Sequence, residues 1–489
     1  MPGDDNAIRS RHGTHDSGTR KSAGVPREEQ QKSDCFSEEI HSEGRGASTR
    51  TEESMPVARN QPSRSIRLVL LFLVVLLPLA ARSGQGDGRG PGKGAVHIAP
   101  SEAYIEVFMD LEGADRREVW SQYARRLLDL FPTLEADYDA WILGIIGREA
   151  YHGRMQAIQH LKPQVPKEYR EEIEGMASQL SGGLVNVPGD GKLSLDELYF
   201  VNLYVDILMS GACSALSVYG PASATGSNMI ARLVDWYPRK GTAIFTLRGG
   251  HRSVVNIAGA LSVMAGTAFN EDGVFAALLA AGPSPMIDLS SGSYRSITMD
   301  IRYALEHFRT LEEVAAYLSR QPYAFSHQVF LADSKRAGVL ENNLWEGGIR
   351  AVRGAESELG EGVAWEFRHA VAAVNSFFLK ANCWGGGSDP RWANIRSELS
   401  QKLQHREQGE VGQVTFDELR EIATYYDRSH PGAYPGSTGG DIYNGATQQI
   451  ILFEPHSFHL EVFFRNASPK PFPDPPFTLV PVSFLSPSR

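Results

Sequence analysis

"GACSALSVYGPASATGSNMIARLVDWYP", Gly211 to Pro238, is the stretch whose reading decides the fold. Cys213, one of three cysteines in 489 residues, follows an apolar helix-like run, "LDELYFVNLYVDILMS". After it the hydrophobic period changes. "CSALSVYG" and "NMIARLVDWYP" are short β-rich runs separated by Gly, Pro and Asn, the pattern of paired strands. A cysteine nucleophile needs thiolate character and a base, yet the first histidine downstream is His251. Cleavage between Ala212 and Cys213 would supply a different base. The new α-amino group, titrating at about 7.7–8.0, would sit on the same residue as the thiol. Gly211 and Ala212 are small enough to leave the preceding peptide bond open to Cys213 itself. A buried structural cysteine accounts for the same residues equally well, and the stretch alone does not separate the two.

Working outward, "TAIFTLRG", "SVVNIAGALSVMAGTAFN" and "GVFAALLAAG" continue the strand pattern. Two helical runs follow, "SITMDIRYALEHF" and "TLEEVAAYLSRQ", and then strand candidates "SHQVFLADSKRAGVLE" and "ATQQIILFEPHSFHLEVFFRN". Strands, helices, strands, helices and strands in that order suit stacked sheets flanked by helices rather than a doubly wound sheet. Upstream, residues 99–212 read as helical: "RREVWSQYARRLLDLF" places Val119, Tyr123, Leu127 and Phe131 on one stripe, and Pro132 ends it. Ser194 and Glu197 form a capping box that starts the helix leading to Cys213. "NVPGDGKLSLDE" also mimics a calcium loop, but Pro188 occupies a ligand position, which turns that reading away.

Residues 1–66 are polar and poor in groups to bury, as disordered chains are. Residues 67–83 hold an apolar run, Leu68 to Ala81, short of the roughly 20 residues a bilayer span needs. It suits a signal peptide with a small-x-small site at Ala81-Arg82-Ser83, in a chain started at Met55; the rival is a single-pass signal anchor. Both send the remainder into the secretory pathway, to the exterior or a lysosome-like lumen. Residues 84–98 are a Gly-rich linker. A net charge of -10 gives no basic field for nucleic acid. Scattered cysteines exclude a disulfide framework or Cys-rich zinc site, and no cofactor motif is present.

Cys213-Ser214, then Arg232-x-x-Asp235-Trp236 one hairpin later, resembles the opening of the linear-amide C–N hydrolases of the N-terminal nucleophile superfamily, which includes choloylglycine hydrolases, acid ceramidase, N-acylethanolamine acid amidase and penicillin acyl-transferases. "GTAFNEDGVFAALLAAG", "SHQVFLADSKRAGVLE", "AVNSFFLK…DPRWANIRSEL" and "QQIILFEPHSFHLEVFF" are similar to later segments of that family, in order, over roughly 190–465. The resemblance implies an α+β, four-layer αββα sandwich over 213–489, preceded by a helical pro-segment, 99–212, that is lost or kept as a companion chain. It implies cleavage between Ala212 and Cys213, a Cys213 thioester, and no cofactor. Asp235 would orient the freed amine, Arg232 would favour the thiolate, Asn270 and Asn375 would bind the oxyanion, and Arg391 would assist. The substrate would be a small N-acyl amide or lipid, with membrane association if the anchor is kept.

The bland alternatives are a strand ion pair for Arg232 and Asp235, and a hairpin-turn role for Asn270. Asn375 lies in an apolar run, where an idle amide is costly. "CSAL" also resembles phospholipase B-like proteins, whose His-Asn-Thr-Trp segment is absent here; a membrane-tethered binding protein with an inert Cys213 is the third reading. His456 and His459, on an alternating strand, would face opposite sides and so not share a metal. Asn466 heads the one glycosylation sequon.

Overall fold

Alternating apolar runs pair into two sheets in the computed structural model, which describes residues 93–484 save 209–210, 237–240, 250, 283–287, 383–388, 405–411 and 466–472. The amino-terminal part runs β1 (Val96–Pro100), β2 (Ile105–Asp110), α1 (Arg116–Leu130), α2 (Leu134–Leu161), α3 (Lys167–Ala177) and α4 (Leu195–Leu208). Strands β3 (Ala212–Val218), β4 (Met229–Asp235), β5 (Thr242–Arg248), β6 (Val254–Gly259), β7 (Thr267–Asn270) and β8 (Phe275–Ala280) follow. Then come α5 (Ile297–His307), α6 (Leu311–Leu318), β9 (His327–Ala332), β10 (Ala337–Asn342), β11 (Arg350–Arg353) and β12 (Ala370–Ala373). The chain closes with α7 (Pro390–Gln404), α8 (Phe416–Ala423), β13 (Thr447–Glu454), β14 (His459–Phe464) and β15 (Thr478–Val480).

The nine-stranded sheet has the order β1-β2-β5-β6-β7-β8-β9-β10-β11, and the six-stranded sheet β12-β3-β4-β13-β14-β15. Between them lies an apolar layer in which Ile230 and Ile451 meet Ile257, Phe275 and Phe330, with the Phe269 and Phe453 rings stacked 4.1 Å apart. The period-two pattern leaves each sheet a second apolar face. On the nine-stranded sheet that face buries residues of α1 to α4, such as Trp120, Tyr123 and Phe200, and of α5 and α6, such as Ile301 and Val314. On the six-stranded sheet it buries Trp392 and Leu399 of α7 with Leu419 and Ile422 of α8.

The helical expectation for 99–212 needs correction. Before α1 the chain forms a strand pair, and β2 joins β5 in parallel from Ile105↔Ala243 to Asp110↔Arg248. The run "YIEVFMD" alternates only weakly and its partner lies far along the chain, so local periodicity did not reveal it. Val96 to Ile98, expected as linker, are the start of β1. The described residues on both sides of position 212 belong to one compact unit, so the expected cleavage point falls inside it rather than at a boundary.

Two local expectations find their physical form. Glu197 N–H donates to Ser194 Oγ at 3.2 Å and Ser194 N–H to Glu197 Oε2 at 2.7 Å, the reciprocal capping box that starts α4. The false calcium loop is tied to α2 instead, because Asp139 accepts from Gly189 N–H (3.0 Å) and Gly191 N–H (2.7 Å). One does not: His456 stands in the turn between β13 and β14, not on a strand, while His459 faces Glu461 at 3.0 Å. Among the described residues no helix is long and apolar enough to cross a membrane. Residues 1–83, with Leu68 to Ala81 and Cys35, lie outside the described residues, as do Cys383 and Asn466.

Candidate active site

Antiparallel pairing of β3 with β4 sets Ala212 opposite Asp235, Cys213 opposite Val234 and Ala215 opposite Arg232. Alternation along each strand then turns Cys213, Ala215 and Arg232 to the same side. Arg232 is 2% exposed, and its Nη2 donates to Cys213 Sγ at 2.9 Å and to Leu278 O at 2.5 Å. Nη1 donates to Ser214 O at 3.4 Å and to Leu233 O. The guanidinium is thus held by neutral carbonyls with its charge directed at the sulfur.

Asp235, also 2% exposed, accepts from Thr447 Oγ1 at 2.6 Å and Asn444 Nδ2 at 3.0 Å. Its ion-pair contact is with Arg391, 3.6 Å away, so the simple Arg232–Asp235 pair is not what the strand builds. Pairing of β13 with β4, Thr447↔Asp235, delivers the hydroxyl. Neither Asn444 nor Thr447 was anticipated from sequence, because nothing in "YNGATQQ" carries a recognisable spacing to Asp235.

Asn375 follows β12 and reaches Cys213 directly. Its Oδ1 accepts from Cys213 N–H at 2.9 Å and from Arg391 Nη2 at 2.8 Å. Its Nδ2 donates to Ala280 O at 2.6 Å and Gly211 O at 3.3 Å. In the uncut chain the Cys213 nitrogen is therefore held by Asn375, where the sequence reading gave that task to Asp235. Arg391, at the start of α7, donates from Nη1 to Cys213 O at 3.2 Å and is itself held by Asp389 at 3.0 Å. Nearby Arg396 faces away, to Glu366 at the surface.

Asn270 is a correction. Its Nδ2 donates to Leu305 O (3.1 Å) and Phe308 O (3.0 Å), and its Oδ1 accepts from Asp272 and Val274 N–H. Both amide hydrogens are consumed in closing the β7–β8 turn on α5. The turn lies at the opposite end of β8 from Ala280, the end that meets Asn375. The hairpin-turn role is the one realised.

Beside Cys213 opens a cavity of about 110 Å³ with mainly apolar walls, among them Tyr204 and Val205 of α4, Trp236, Ile257, Met264 and Leu278. Gly211, with φ +146°, also lines it; a Cβ there would meet the Trp236 ring at 3.1–3.2 Å. Glycine thus answers both the backbone angle and the close approach beside the expected cut.

No family model matches the chain, and no curated protein matches it. Among solved structures it is similar to the Caenorhabditis elegans ortholog of N-acylethanolamine-hydrolyzing acid amidase, with 14% identity over 55% of this chain and 100% of that one and a TM-score of 0.33. It is similar also to penicillin V acylase from Agrobacterium tumefaciens, with 14% identity over 52% of this chain and 83% of that one and a TM-score of 0.28. A mutant of conjugated bile acid hydrolase from Clostridium perfringens shares 11% identity over 56% of this chain and 98% of that one, with a TM-score of 0.31. At these values the likeness carries no argument about chemistry; that rests on the contacts of Cys213.

Proposed function

We propose that this chain is a self-cleaving amidase whose nucleophile is the thiol of Cys213 once that residue has become an amino terminus. One observation carries the reading: three parts of Cys213 are held by separate polar side chains, the sulfur by Arg232, the nitrogen by Asn375 and the carbonyl by Arg391. A structural cysteine calls for none of this. The flanking helices over the outer faces of both sheets support reading the architecture as an αββα sandwich.

In the proposed activation, Cys213 Sγ attacks the Ala212 carbonyl and the Ala212–Cys213 peptide becomes a thioester. Water hydrolyses it, leaving the Ala212 carboxylate, a free amine and a free thiol. That amine then takes up the thiol proton as Cys213 attacks a substrate amide, and passes it to the departing amine. Water or a second amine resolves the acyl-thioester, giving hydrolysis or transfer. Asn375 Nδ2 is the side-chain donor for the oxyanion, and withdrawal of Gly211 after the cut would release one of its two present acceptors. The apolar cavity beside the sulfur suits the acyl chain of a linear N-acyl amide or lipid amide.

Residues 99–212 remain as a companion chain in this proposal, supported by the β2–β5 pairing and by the buried Glu172–Arg302 ion pair at 2.5 Å. Entry into the secretory pathway is part of it. Intact mass and amino-terminal sequencing of wild type and Cys213→Ala, alongside turnover of N-acyl amides and diacyl phospholipid, test the whole. A new terminus at Cys213 in wild type alone, with amide turnover, is expected. Fatty acid released only from phospholipid would transfer the reading to the phospholipase B-like class, and one unprocessed band in both proteins to an inert cysteine.

A further inference from the structure

Asn375 stands on an irregular segment between β12 and α7, where a side-chain amide needs outside support to stay aimed at one atom. The support is a buried ion pair on strands at the far edge of the nine-stranded sheet. Glu341 of β10 is 0% exposed and Arg353 of β11 is 1% exposed, and Arg353 Nε donates to Glu341 Oε1 at 2.9 Å. Neither touches Cys213. Both are spent on the chain that carries Asn375.

Upstream of Asn375, Arg353 Nη2 donates to Ala372 O at 2.8 Å. Downstream, Glu341 accepts from Phe378 N–H at 3.0 Å and from Leu379 N–H at 3.3 Å, and Asn382 Nδ2 donates to it at 3.0 Å. Asn375 is thus bracketed on both sides by one charge pair. The Arg353 guanidinium also lies 5.4 Å from the Phe378 ring and 5.6 Å from the Trp392 ring. Trp392 directly follows Arg391, so the same pair contacts chain neighbours of both groups that converge on Cys213. From the next strand, Gln328 Nε2 donates to Ser376 O, beside Asn375.

Burying a carboxylate and a guanidinium is costly, and apolar residues of similar size often serve stability as well or better. A pair kept in that place yet directed at one loop therefore calls for a role other than holding the fold. We propose that Glu341 and Arg353 are positioning residues for the amidase reaction, a clamp that fixes Asn375, and with it Arg391, against Cys213. This rests on the amidase reading above.

The test uses the full-length double variant Glu341→Leu/Arg353→Met, which removes both charges together and leaves no lone buried ion. Expected are a thermal midpoint lowered by the loss of the acceptor for Phe378 and Leu379 N–H, with the protein still folded at the assay temperature, a kcat about 10–100-fold lower and a KM within about twofold, the pattern of a lost transition-state contact. In an Asn375→Ala background the same double change should cost less than about threefold, because the clamp would have nothing left to aim. Equal losses in both backgrounds, or a wild-type kcat in the double variant, overturn the proposal. Should wild type itself neither process nor turn over amides, the amidase reading fails on its own, and a crystal structure of the double variant still decides the clamp. Asn375 Oδ1 remaining at hydrogen-bond distance from the Cys213 nitrogen would then refute it, and displacement would sustain it.

Discussion

Arg232 Nη2 lies 2.9 Å from Cys213 Sγ, brought there by the β3–β4 register and held by the carbonyls of Ser214, Leu233 and Leu278. Replacing it by Ala removes the cation that is set against the sulfur. Arg232→Ala should lower kcat/KM by about 10²–10³, within the range for loss of one preorganised electrostatic group. Arg232→Lys should recover little, since one ammonium cannot span these acceptors. Alkylation of Cys213 by iodoacetamide should slow in parallel, and an unchanged rate would contradict the assigned role.

Gly211→Ala meets two obstacles, a φ of +146° and the Trp236 ring at 3.1–3.2 Å. Strain of about 1–3 kcal/mol is expected at the residue before Ala212. The measurable result is slower appearance of the Cys213 amino terminus in a purified precursor followed by mass spectrometry.

Thr447→Val keeps the shape of the side chain but takes away the hydroxyl that Asp235 accepts from at 2.6 Å. A hydrogen bond to a charged group contributes about 1.5–3 kcal/mol. Urea unfolding should show a loss of that order, and activity should fall with it as Asp235 loses its orientation.

After cleavage, the two pieces should migrate as separate bands on a denaturing gel yet elute as one species from a native column. β2 lies between β1 and β5 within the sheet, and Glu172 of α3 bonds Arg302 of α5. Arg302→Met should weaken that association, because it removes the partner of Glu172 on the far side of the expected cut and leaves the buried carboxylate to Arg116 alone.

Stability should depend on pH through two buried groups of opposite sign. Burial pushes the Asp206 carboxyl up to about 7 from 3.8, with Asp300 adding to the rise, although Ser296 Oγ donates to it at 2.6 Å. The folded state therefore holds the extra proton between those values, and stability declines as pH climbs from about 4 to about 7. Burial lowers His327 from 6.5 to about 4. There the unfolded chain takes up the proton, so stability is lost as pH falls from about 6.5 to about 4. Melting curves of Asp206→Asn and His327→Gln against wild type over this range should give difference profiles of opposite slope.

What could be read from sequence was local. The change of period after "LDELYFVNLYVDILMS", the capping box at Ser194 and Glu197, and a cysteine preceded by two small residues all lie within a few positions of each other. Those features placed the strands and the helix ahead of Cys213, since backbone period and capping are set by neighbours, and they marked Cys213 as a candidate without separating a nucleophile from a structural cysteine. Arg232 entered as a candidate through the resemblance, since its local pattern fits a strand ion pair equally well.

The remainder waited on the tertiary structure, because it depends on register between strands distant in the chain. Asn375 meets Cys213 across a separation of 162 residues, and Thr447 meets Asp235 across 212. Asn270 and Asn375 look alike as candidates, yet only one has an amide turned to Cys213, while the other uses its hydrogens to close a turn on α5. The choice of Arg391 over Arg396 follows from which face of α7 packs on the sheet. No local pattern reveals that residues 105–110 complete the sheet, since a parallel strand pair is decided by what it packs against rather than by its own sequence.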